Sequence, residues 1–500
     1  MVKVILISLY DVDSMAIRLL HSVLKKNGNE VTSLFFKEHM INNISLPSKN
    51  EYELAIKIIN DTQPELVALS VRSSFFEIAK TLSEKIRYTS NAKILWGGVH
   101  PTICPEESLA YADMICIGEG EYAIAELCKH LHNLAQKQER ANREFCVVVP
   151  GIIYRLSRKR KKIAHVINQV PDLNSLPYPD YSDADKFYIQ NDLIFRSYKD
   201  VKSSLPYKLV MGCYSIMSNR GCFFRCAYCI NNIVRTKVRR RSVDNVIYEL
   251  LLAKRSHRLN TVFFHDDVFT YDKKWISHFS KSYQKRIGLP FIVMTHPKLI
   301  DREIMVMLKS AGLKAAKMGI ESGSEKIRKA FFNRNTTNEE ILRASEILKQ
   351  LNVLPIYDYI VDNPFEDEND RREGFSFILK IRPRHFIFYS LIYFPRYKLT
   401  ETALKAGLIS QDDVESSKKK VFYNWHLNML HADADCMIYW SCLFKMANYP
   451  IIPSWFLLVI SKMPLLQKNP YLLKRFFNAV ESVYGRKHEE EYLRKCWSLK

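Results

Sequence analysis

The first third of the chain alternates apolar runs with amphipathic stretches. Residues 2–9 form a continuous apolar run that predicts a buried strand, and residues 15–24 place apolar side chains at helical spacing. The same alternation continues through residues 1–135, with further strands predicted at 31–36, 66–71, 93–96 and 113–117. Five strands separated by helices predict an α/β domain with a doubly wound, flavodoxin- or Rossmann-like parallel sheet. Such sheets bind ligands at the carboxyl ends of their strands.

A second alternation of strands and helices covers residues 206–400 and predicts a partial, open (β/α) barrel. Polar clusters follow three of its predicted strands, at 265–267, 321–325 and 362–366. Residues 401–500 are helix-rich, aromatic and basic. The pattern divides the chain into an amino-terminal domain (1–140), a linker with a β-hairpin (141–205), a barrel (206–400) and a helical carboxyl-terminal region (401–500).

Composition places this chain among large globular proteins of a reducing compartment. It has 500 residues, 47% of them hydrophobic, which is enough for two or three domains. The apolar start lacks a small-residue cleavage site and runs into Asp11 and Asp13, so we expect no signal peptide. Eleven cysteines in so long a chain do not suggest a disulfide scaffold. We therefore expect a cytoplasmic protein.

The formal net charge of +21 raises the question of a polyanionic partner. Two basic runs stand out, at 158–162 and 235–241, and neither is interleaved with aromatic residues as a stacking platform for nucleic acid would be. We do not expect nucleic acid as a partner. The apolar segment 450–466 is interrupted by Pro453, Lys462 and Pro464, too short and broken for a membrane span. We expect it to cover the barrel, with peripheral membrane contact as the alternative.

The chemistry concentrates in residues 219–229, where Cys222, Cys226 and Cys229 follow the spacing C-x3-C-x2-C. A compact set of soft thiolates favours an iron–sulfur cluster or zinc over a hard cation. Three ligands leave one metal position open, which is typical of a catalytic centre. The alternative is a structural zinc knuckle with a distant fourth ligand.

This loop resembles the cluster-binding loop of radical S-adenosylmethionine (SAM) enzymes, including the aromatic Tyr228 before the third cysteine. The resemblance implies that the three cysteines hold a 4Fe-4S cluster whose free iron chelates SAM. An external one-electron donor, such as flavodoxin or ferredoxin, would then supply the electron that cleaves SAM to a deoxyadenosyl radical. We assign no catalytic residue beyond the cluster ligands. The implied SAM contacts are Tyr228, Asp266, Asp267, Glu321 and Ser322.

The amino-terminal domain is similar to the cobalamin-binding domain that precedes the barrel in one branch of this superfamily. The matching pieces are Ser70-Val71, Gly97-Gly98-x-His100-Pro101-Thr102, Pro105-Glu106-Glu107 and Gly118-Glu119-Gly120-Glu121. The implied cobalamin contacts are Ser70, Gly97, Gly98, His100, Pro101, Gly118, Glu119 and Gly120. Where cobalamin domains carry D-x-H-x-x-G, this chain has residues 11–16 without a histidine, so that loop offers cobalt no imidazole. The alternative is a flavodoxin-like domain that holds no ligand.

The resemblance implies a cobalamin-dependent methyltransferase acting on an unactivated carbon or phosphorus of a small-molecule or lipid-like substrate. Departures from the family pattern at Asp362 and at residues 394–397 leave the substrate pocket undefined. Radical cyclisation or rearrangement is the first alternative. An RNA methylthiotransferase is a more distant one, because no cysteine precedes Cys104 and the tail looks helical. The last alternative is a corrinoid-binding protein without enzymatic activity.

Overall fold

The computed structural model describes residues 1–38, 46–136, 149–154, 167–204, 212–234, 237–256, 258–361, 363–419 and 434–485. The chain forms two compact units. The first comprises Met1–Lys208, Phe394–Arg396 and Gln411–Tyr423, and the second comprises Leu209–Tyr393, Tyr397–Ser410 and Asn424–Lys500.

The first unit is an α/β domain. Its strands are β1 Lys3–Leu9, β2 Glu30–Phe36, β3 Leu66–Ser70, β4 Lys93–Gly97, β5 Met114–Cys116, β6 Ile152–Tyr154, β7 Lys186–Gln190 and β8 Leu193–Phe195. Its helices are α1 Met15–Lys26, α2 Lys49–Thr62, α3 Phe76–Thr89, α4 Val99–Ile103, α5 Pro105–Tyr111, α6 Glu121–Gln136 and α7 Tyr198–Ser204. The five strands and the helices predicted for residues 1–135 are confirmed.

These strands form one sheet in the order β6-β5-β4-β3-β1-β2-β7-β8. Neighbours are parallel except at the two edges, where β6 runs antiparallel to β5 and β8 antiparallel to β7. Strand β1 is apolar at almost every position because both faces of the sheet are covered. Ile5 and Ile7 belong to the core cluster on one face, and Val4 and Leu6 to the cluster on the other.

The segment that we treated as a linker contributes three strands to this sheet. β7 pairs parallel with β2 and covers the edge that the first 140 residues leave open. A two-residue turn joins β7 to β8, with Asn191 and Asp192 both at positive φ, as a type I′ hairpin requires. The sequence had predicted a different hairpin for this segment, formed by residues 151–154 and 163–166. Residues 152–154 pair with β5, and residues 155–166 lie outside the described part of the chain.

The second unit contains the barrel and the helical tail. Its strands are β9 Cys213–Ile216, β10 Asn219–Arg220, β11 Arg239–Arg240, β12 Thr261–Phe264, β13 Phe291–Thr295, β14 Leu313–Glu321, β15 Leu354–Ile360 and β16 Phe386–Tyr389. The helices up to residue 419 are α8 Asn231–Val234, α9 Val243–Ser256, α10 Lys273–Arg286, α11 Arg302–Ala311, α12 Glu325–Ala330, α13 Asn338–Gln350, α14 Glu368–Ile381, α15 Lys398–Lys405 and α16 Gln411–Lys419, the last in the first unit. The tail helices are α17 Ala434–Met446, α18 Ser454–Ile460, α19 Pro464–Lys468 and α20 Pro470–Val480.

Six strands form an all-parallel sheet in the order β16-β15-β14-β13-β12-β9, which is the predicted partial barrel. One face carries a buried apolar layer of Ile292, Ala315 and Ile356 near the start of the strands. On the same face of β14, Lys317, Gly319 and Glu321 follow at alternating positions towards the carboxyl end. The polar residues therefore collect where parallel barrels place their chemistry.

The helical carboxyl-terminal region is also confirmed. Helix α17 packs on α14, where the Phe375 ring lies 5.8 Å from Trp440 and 5.4 Å from Phe444. The apolar segment 450–466 is only partly buried, since Leu457 and Ile460 face inward while Trp455 and Val459 are exposed. In the described residues, every helix is too short or too polar to cross a membrane.

Candidate active site

The three cysteines lie in a loop that leaves the first strand of the barrel. Gly221 opens this loop at φ +91°, a backbone conformation that glycine adopts without strain. The guanidinium of Arg225 then donates to the carbonyl oxygens of Cys222 at 2.8 Å and Asn231 at 3.2 Å. The loop is therefore wound around its own arginine, which leaves the cysteine side chains on a short, constrained turn.

Residues that follow β14 hold the same loop from outside. The Ala227 amide donates to the carbonyl of Phe332 at 2.9 Å, and Asn333 Nδ2 donates to the carbonyl of Arg225 at 2.7 Å. The Phe224 ring stacks on His296, with centroids 3.8 Å apart. Burial lowers the pKa of His296 to about 2, so this imidazole is neutral. The cysteine loop is thus fixed by contacts from two other strand ends.

Asp266 braces the base of the loop. Its buried carboxylate accepts hydrogen bonds from the backbone amides of Ser218 at 2.6 Å and Asn219 at 3.1 Å, and from both of their side chains. Burial still raises the pKa of Asp266 to about 6. The resemblance implied that Asp266 contacts SAM. In the structure, the hydrogen bonds from Ser218 and Asn219 engage both carboxylate oxygens of Asp266. Asp267 is exposed and accepts from Asn231 Nδ2 at 3.1 Å.

Glu321 and Tyr228 meet at the carboxyl end of β14. Glu321 has φ +69°, and its carboxylate folds back over Gly319, where an added Cβ would lie 2.0 Å from Glu321 Oε1. The Tyr228 hydroxyl hydrogen-bonds this carboxylate, and burial raises the pKa of Glu321 to about 7. Because glycine has no Cβ, Gly319 leaves room for this position of the Glu321 carboxylate.

Arg334 completes this group and was not expected from the sequence. Its Nη1 lies 3.5 Å from Cys226 Sγ and 3.4 Å from the Tyr228 hydroxyl, and its Nη2 donates to the Gly319 carbonyl at 2.7 Å. Its Nε has no hydrogen-bond partner among the described residues. The residue is only 7% exposed. A buried cation thus lies against one of the three cysteines.

Ser322, the remaining implied SAM contact, is turned into the protein. Its hydroxyl donates to Glu366 at 2.6 Å, and its carbonyl accepts from Arg328 Nη1. Burial raises the pKa of Glu366 to about 7. The structure thus places Tyr228 and Glu321 together beside the cysteines, while Ser322 joins a separate buried pair.

The donor set fits a cluster with an open iron. Burial raises the pKa of the Cys222 thiol to about 11 and of the Cys229 thiol to about 12, with the neighbouring cysteine thiols contributing. These two thiols therefore resist ionisation, and a bound iron would supply the positive charge that converts them to thiolates. Cys222, Cys226 and Cys229 would hold the cluster, and Arg334 would donate to one of its sulfur ligands.

A polar wall continues along the inner face of the barrel. Lys317 Nζ lies 3.2 Å from Asp358 Oδ1 and 2.9 Å from the Tyr389 hydroxyl, which links β14, β15 and β16. On β9 and β12, Ser215 Oγ lies 3.2 Å from His265 Nε2. These groups are only partly buried. A substrate on this face of the barrel would meet these polar side chains.

In the first unit, the implied cobalamin residues lie at the ends of β3, β4 and β5, which are neighbours in the sheet. Ser70, Gly97, Gly98 and Gly118 to Gly120 remain accessible, while His100 and Pro101 are buried. The structure therefore brings these residues to one carboxyl edge, where doubly wound sheets bind their ligands. An accessible edge rich in glycine fits the close approach of a bulky ligand such as a corrinoid.

Two of these glycines are also required by the fold itself. Gly98 has φ +99°, and an added Cβ would lie 3.0 Å from the Val71 carbonyl oxygen. Gly118 has φ +82°, and its Cβ would lie 2.4 Å from the carbonyl oxygen of Asn168. Close approach of neighbouring chain segments therefore explains both positions, independently of any ligand.

His100 belongs to an internal charged cluster. Its Nδ1 lies 3.0 Å from Ser73 Oγ, and its Nε2 lies 3.4 Å from Glu107. Potential ligand atoms of His100, Cys104 and Glu107 lie within 4.8 Å of one another, as in a metal site. Lys418 Nζ, however, lies 2.8 Å from Glu107 and already supplies the cation. This cluster attaches α16 to the amino-terminal domain, and the ammonium group disfavours a metal ion there.

Two family models match the chain, one for the B12 binding domain over residues 2–128 and one for the radical SAM superfamily over residues 216–378. The second match contains all three cysteines and begins at the end of β9. The chain combines a B12-binding domain with a radical SAM domain. Its cofactors are accordingly a 4Fe-4S cluster, SAM and cobalamin. The zinc-knuckle alternative is wrong.

Two relatives match this chain in sequence over about two thirds of its length or more. The chain is 24% identical over 365 residues to an uncharacterized methyltransferase of Pyrococcus horikoshii, covering 71% of this chain and 72% of the relative. It is 22% identical over 356 residues to the cytidylyl-2-hydroxyethylphosphonate methyltransferase of Streptomyces wedmorensis, covering 66% of this chain and 64% of that enzyme.

Solved structures share the fold of the radical SAM enzyme described above. The methyltransferase TsrM from Kitasatospora setae, solved with cobalamin and a 4Fe-4S cluster, aligns with a TM-score of 0.62 at 16% identity, over 81% of this chain and 78% of TsrM. The cobalamin-dependent SAM radical enzyme OxsB, solved with aqua-cobalamin and SAM, aligns with a TM-score of 0.57 at 18% identity, over 83% of this chain and 56% of OxsB.

Sequence reasoning missed the residues that support the radical SAM loop from a distance. Arg334 is separated from Cys226 by 108 positions, and His296 is separated from Phe224 by 72 positions. The one local sign of Arg334 is a cation two positions after an aromatic pair, Phe331-Phe332. That pattern is common on protein surfaces, so it carried no prediction.

Proposed function

We propose that this enzyme is a cobalamin-dependent radical SAM methyltransferase that transfers a methyl group to an unactivated carbon or phosphorus of a small molecule. One observation carries the proposal: a three-cysteine loop at the end of a barrel strand and a B12-binding domain occur in one chain. Two relatives that match this chain at 24% and 22% sequence identity are named methyltransferases. At this level of sequence identity, the names of the relatives support methyl transfer as the class of reaction. The substrate of this chain is proposed separately below.

The chain's own residues would act by positioning and electrostatics, since the cofactors carry the difficult chemistry. When bound, SAM and cobalamin supply the radical and the methyl group. Cys222, Cys226 and Cys229 would hold the cluster, while Arg225 and Asp266 keep the loop in its conformation. Tyr228 and Glu321 would present their hydrogen-bonded hydroxyl and carboxyl groups beside the cysteine loop.

For the acceptor, we infer a polar small molecule bound on the inner face of the barrel. Lys317, Asp358 and Tyr389 offer a cation, a carboxylate and a hydroxyl within one hydrogen-bonded group. A phosphonate satisfies the first and last of these groups, and the Streptomyces relative acts, by its name, on a cytidylylated phosphonate. We therefore propose phosphonates as the first substrates to test, ahead of purely apolar acceptors.

The test uses protein reconstituted anaerobically with iron and sulfide and expressed with hydroxocobalamin. Iron and cobalt are quantified, and SAM, a reductant and a panel of phosphonates are then added. We expect both metals to copurify and one substrate to gain the mass of a methylene unit. A reconstituted protein that retains no corrinoid absorbance would refute the proposal.

The competing functions predict different results in the same assay. A cyclase or mutase would form 5′-deoxyadenosine and convert substrate without the methylene gain. A corrinoid-binding protein without enzymatic activity would function unchanged when Cys222, Cys226 and Cys229 are all replaced by alanine. We expect this triple variant instead to lose SAM cleavage while retaining cobalt, because cobalamin binding is assigned to the other unit.

A further inference from the structure

The tail of the second unit exposes an unusual number of apolar side chains. Of the twenty large hydrophobic residues that are exposed in the described chain, ten lie within 34 positions. They are Ile451, Trp455, Val459, Met463, Leu465, Tyr471, Leu472, Phe476, Val483 and Tyr484. We refer to these ten residues as the tail face. Scattered exposed hydrophobics are normal in proteins, whereas a concentration of this kind marks an interaction surface.

The tail helices are apolar on their outer as well as their inner sides. In α18, Leu457 and Ile460 are buried, while Trp455 is 67% exposed and Val459 is 53% exposed. In α20, Leu473 is buried and Phe476 is exposed. A helix that faced only water would carry polar residues on its outer side. The inner sides of both helices pack on the protein core, and their outer sides are suited to contact with another apolar surface.

The two helices are in contact with each other. The rings of Phe456 and Phe476 lie 6.3 Å apart and join α18 to α20. The body of the barrel holds the connecting turns, since Arg372 Nη1 donates to the Ser461 carbonyl at 2.7 Å and Arg382 Nη1 to the Ile452 carbonyl at 3.0 Å. The tail face is thus a fixed part of the folded unit.

Basic residues are interspersed with these apolar side chains. Lys462, Lys468, Lys474 and Arg475 are exposed between residues 450 and 485, and Glu481 is the one acidic residue of that range. Exposed aromatic rings combined with lysine and arginine are typical of helices that lie in the interface of an anionic bilayer. Their long aliphatic stems let the basic residues lie along an apolar surface while the charge reaches the headgroups.

We propose that the tail face docks the enzyme on the surface of an anionic lipid bilayer, with α18 and α20 lying in the plane of the interface. Charge decides between this occupant and a second copy of the chain. A symmetric dimer through this face would bring the basic residues of both copies together, whereas anionic headgroups neutralise them. This proposal does not depend on the methyltransferase reaction.

The experiment measures co-sedimentation of the full-length protein with mixed phosphatidylglycerol–phosphatidylcholine vesicles and with pure phosphatidylcholine vesicles. We expect binding to the anionic vesicles that weakens with added salt. Replacing Lys474 and Arg475 by glutamine should lower the partition coefficient about 25-fold, because each basic residue near such a surface contributes about fivefold. Replacing Trp455 and Phe476 by serine should lower it by about tenfold or more.

The matched controls are Tyr88→Ser and Val306→Ser, which remove exposed hydrophobics elsewhere, with Tyr88 92% exposed. Both should bind anionic vesicles like the unaltered protein. The proposal is overturned if the unaltered protein does not sediment with anionic vesicles or if the controls lose as much binding as the tail variants. It is also overturned if light scattering shows a dimer that Trp455→Ser dissociates while vesicle binding is absent, because a second copy would then be the occupant.

Discussion

Replacement of Arg334 by glutamine should lower the reduction potential of the iron–sulfur cluster. The guanidinium is buried, and its Nη1 lies 3.5 Å from the sulfur of Cys226. A cluster gains negative charge when it is reduced, and a donor to its sulfur ligand stabilises that charge. Glutamine removes the positive charge and the fork that also binds the Gly319 carbonyl. The reduced state should therefore lose more stabilisation than the oxidised state.

The size of the effect follows from the hydrogen bond. A hydrogen bond to a charged group contributes about 1.5–3 kcal/mol. For a one-electron couple, about 1.4 kcal/mol corresponds to 59 mV, so the whole bond would be equivalent to roughly 60–130 mV. Both oxidation states accept the bond, and only the difference between them appears in the potential. We expect a decrease on the order of 50 mV.

The assay is a redox titration of the reconstituted protein, followed by electron paramagnetic resonance without SAM and normalised to iron content. Arg334→Lys keeps the charge but not the planar fork, and it should shift the potential by less than Arg334→Gln. Arg240→Gln removes a partly buried arginine whose guanidinium lies 4.4 Å from the centre of the Trp275 ring, and it should leave the potential nearly unchanged. An Arg334→Gln protein with full iron content and an unaltered or higher potential would refute this reasoning.

Three further predictions concern the cluster, the fold and its pH dependence. Cys226→Ala should abolish iron retention and the visible absorbance after reconstitution, whereas Cys213→Ala, on the adjoining strand, should retain both. Gly118→Ala should destabilise the first unit by about 3 kcal/mol or more in urea unfolding, because its Cβ would meet the Asn168 carbonyl as well as a left-handed backbone. Gly28→Ala, at φ +75° with no atom within 4 Å of the added Cβ, should cost only about 1 kcal/mol; equal costs would contradict the clash. Burial and the nearby Lys186 lower the pKa of His21 from 6.5 to about 4. Between pH 6.5 and about 4, His21 is therefore protonated in the unfolded chain but neutral in the folded chain. Stability should fall as the pH is lowered from 6.5 to about 4, and His21→Gln should flatten that slope; an unchanged slope would exclude His21 as its source.

Local patterns made much of this protein predictable from its sequence. Strand and helix periodicities depend on neighbours a few residues away, and they were enough for the doubly wound sheet, the partial barrel and the helical tail. The spacing of Cys222, Cys226 and Cys229 is also local, because all three cysteines lie within one short loop. The resemblance to radical SAM enzymes with a cobalamin-binding domain rested on these local motifs, and the family matches confirm it.

Contacts between distant segments were decided by the tertiary structure. A strand at residues 186–190 completes the first sheet because β2 leaves an open edge, which no local pattern announces. The family resemblance implied a SAM contact for Asp266. Packing adds what no local pattern shows, namely that its partners include the amides of a loop almost 50 residues earlier. Arg334 reaches Cys226 only because two strand ends meet. The sequence by itself determines which side chains an element presents, while packing decides which of them share a dry environment, and that environment sets their chemistry.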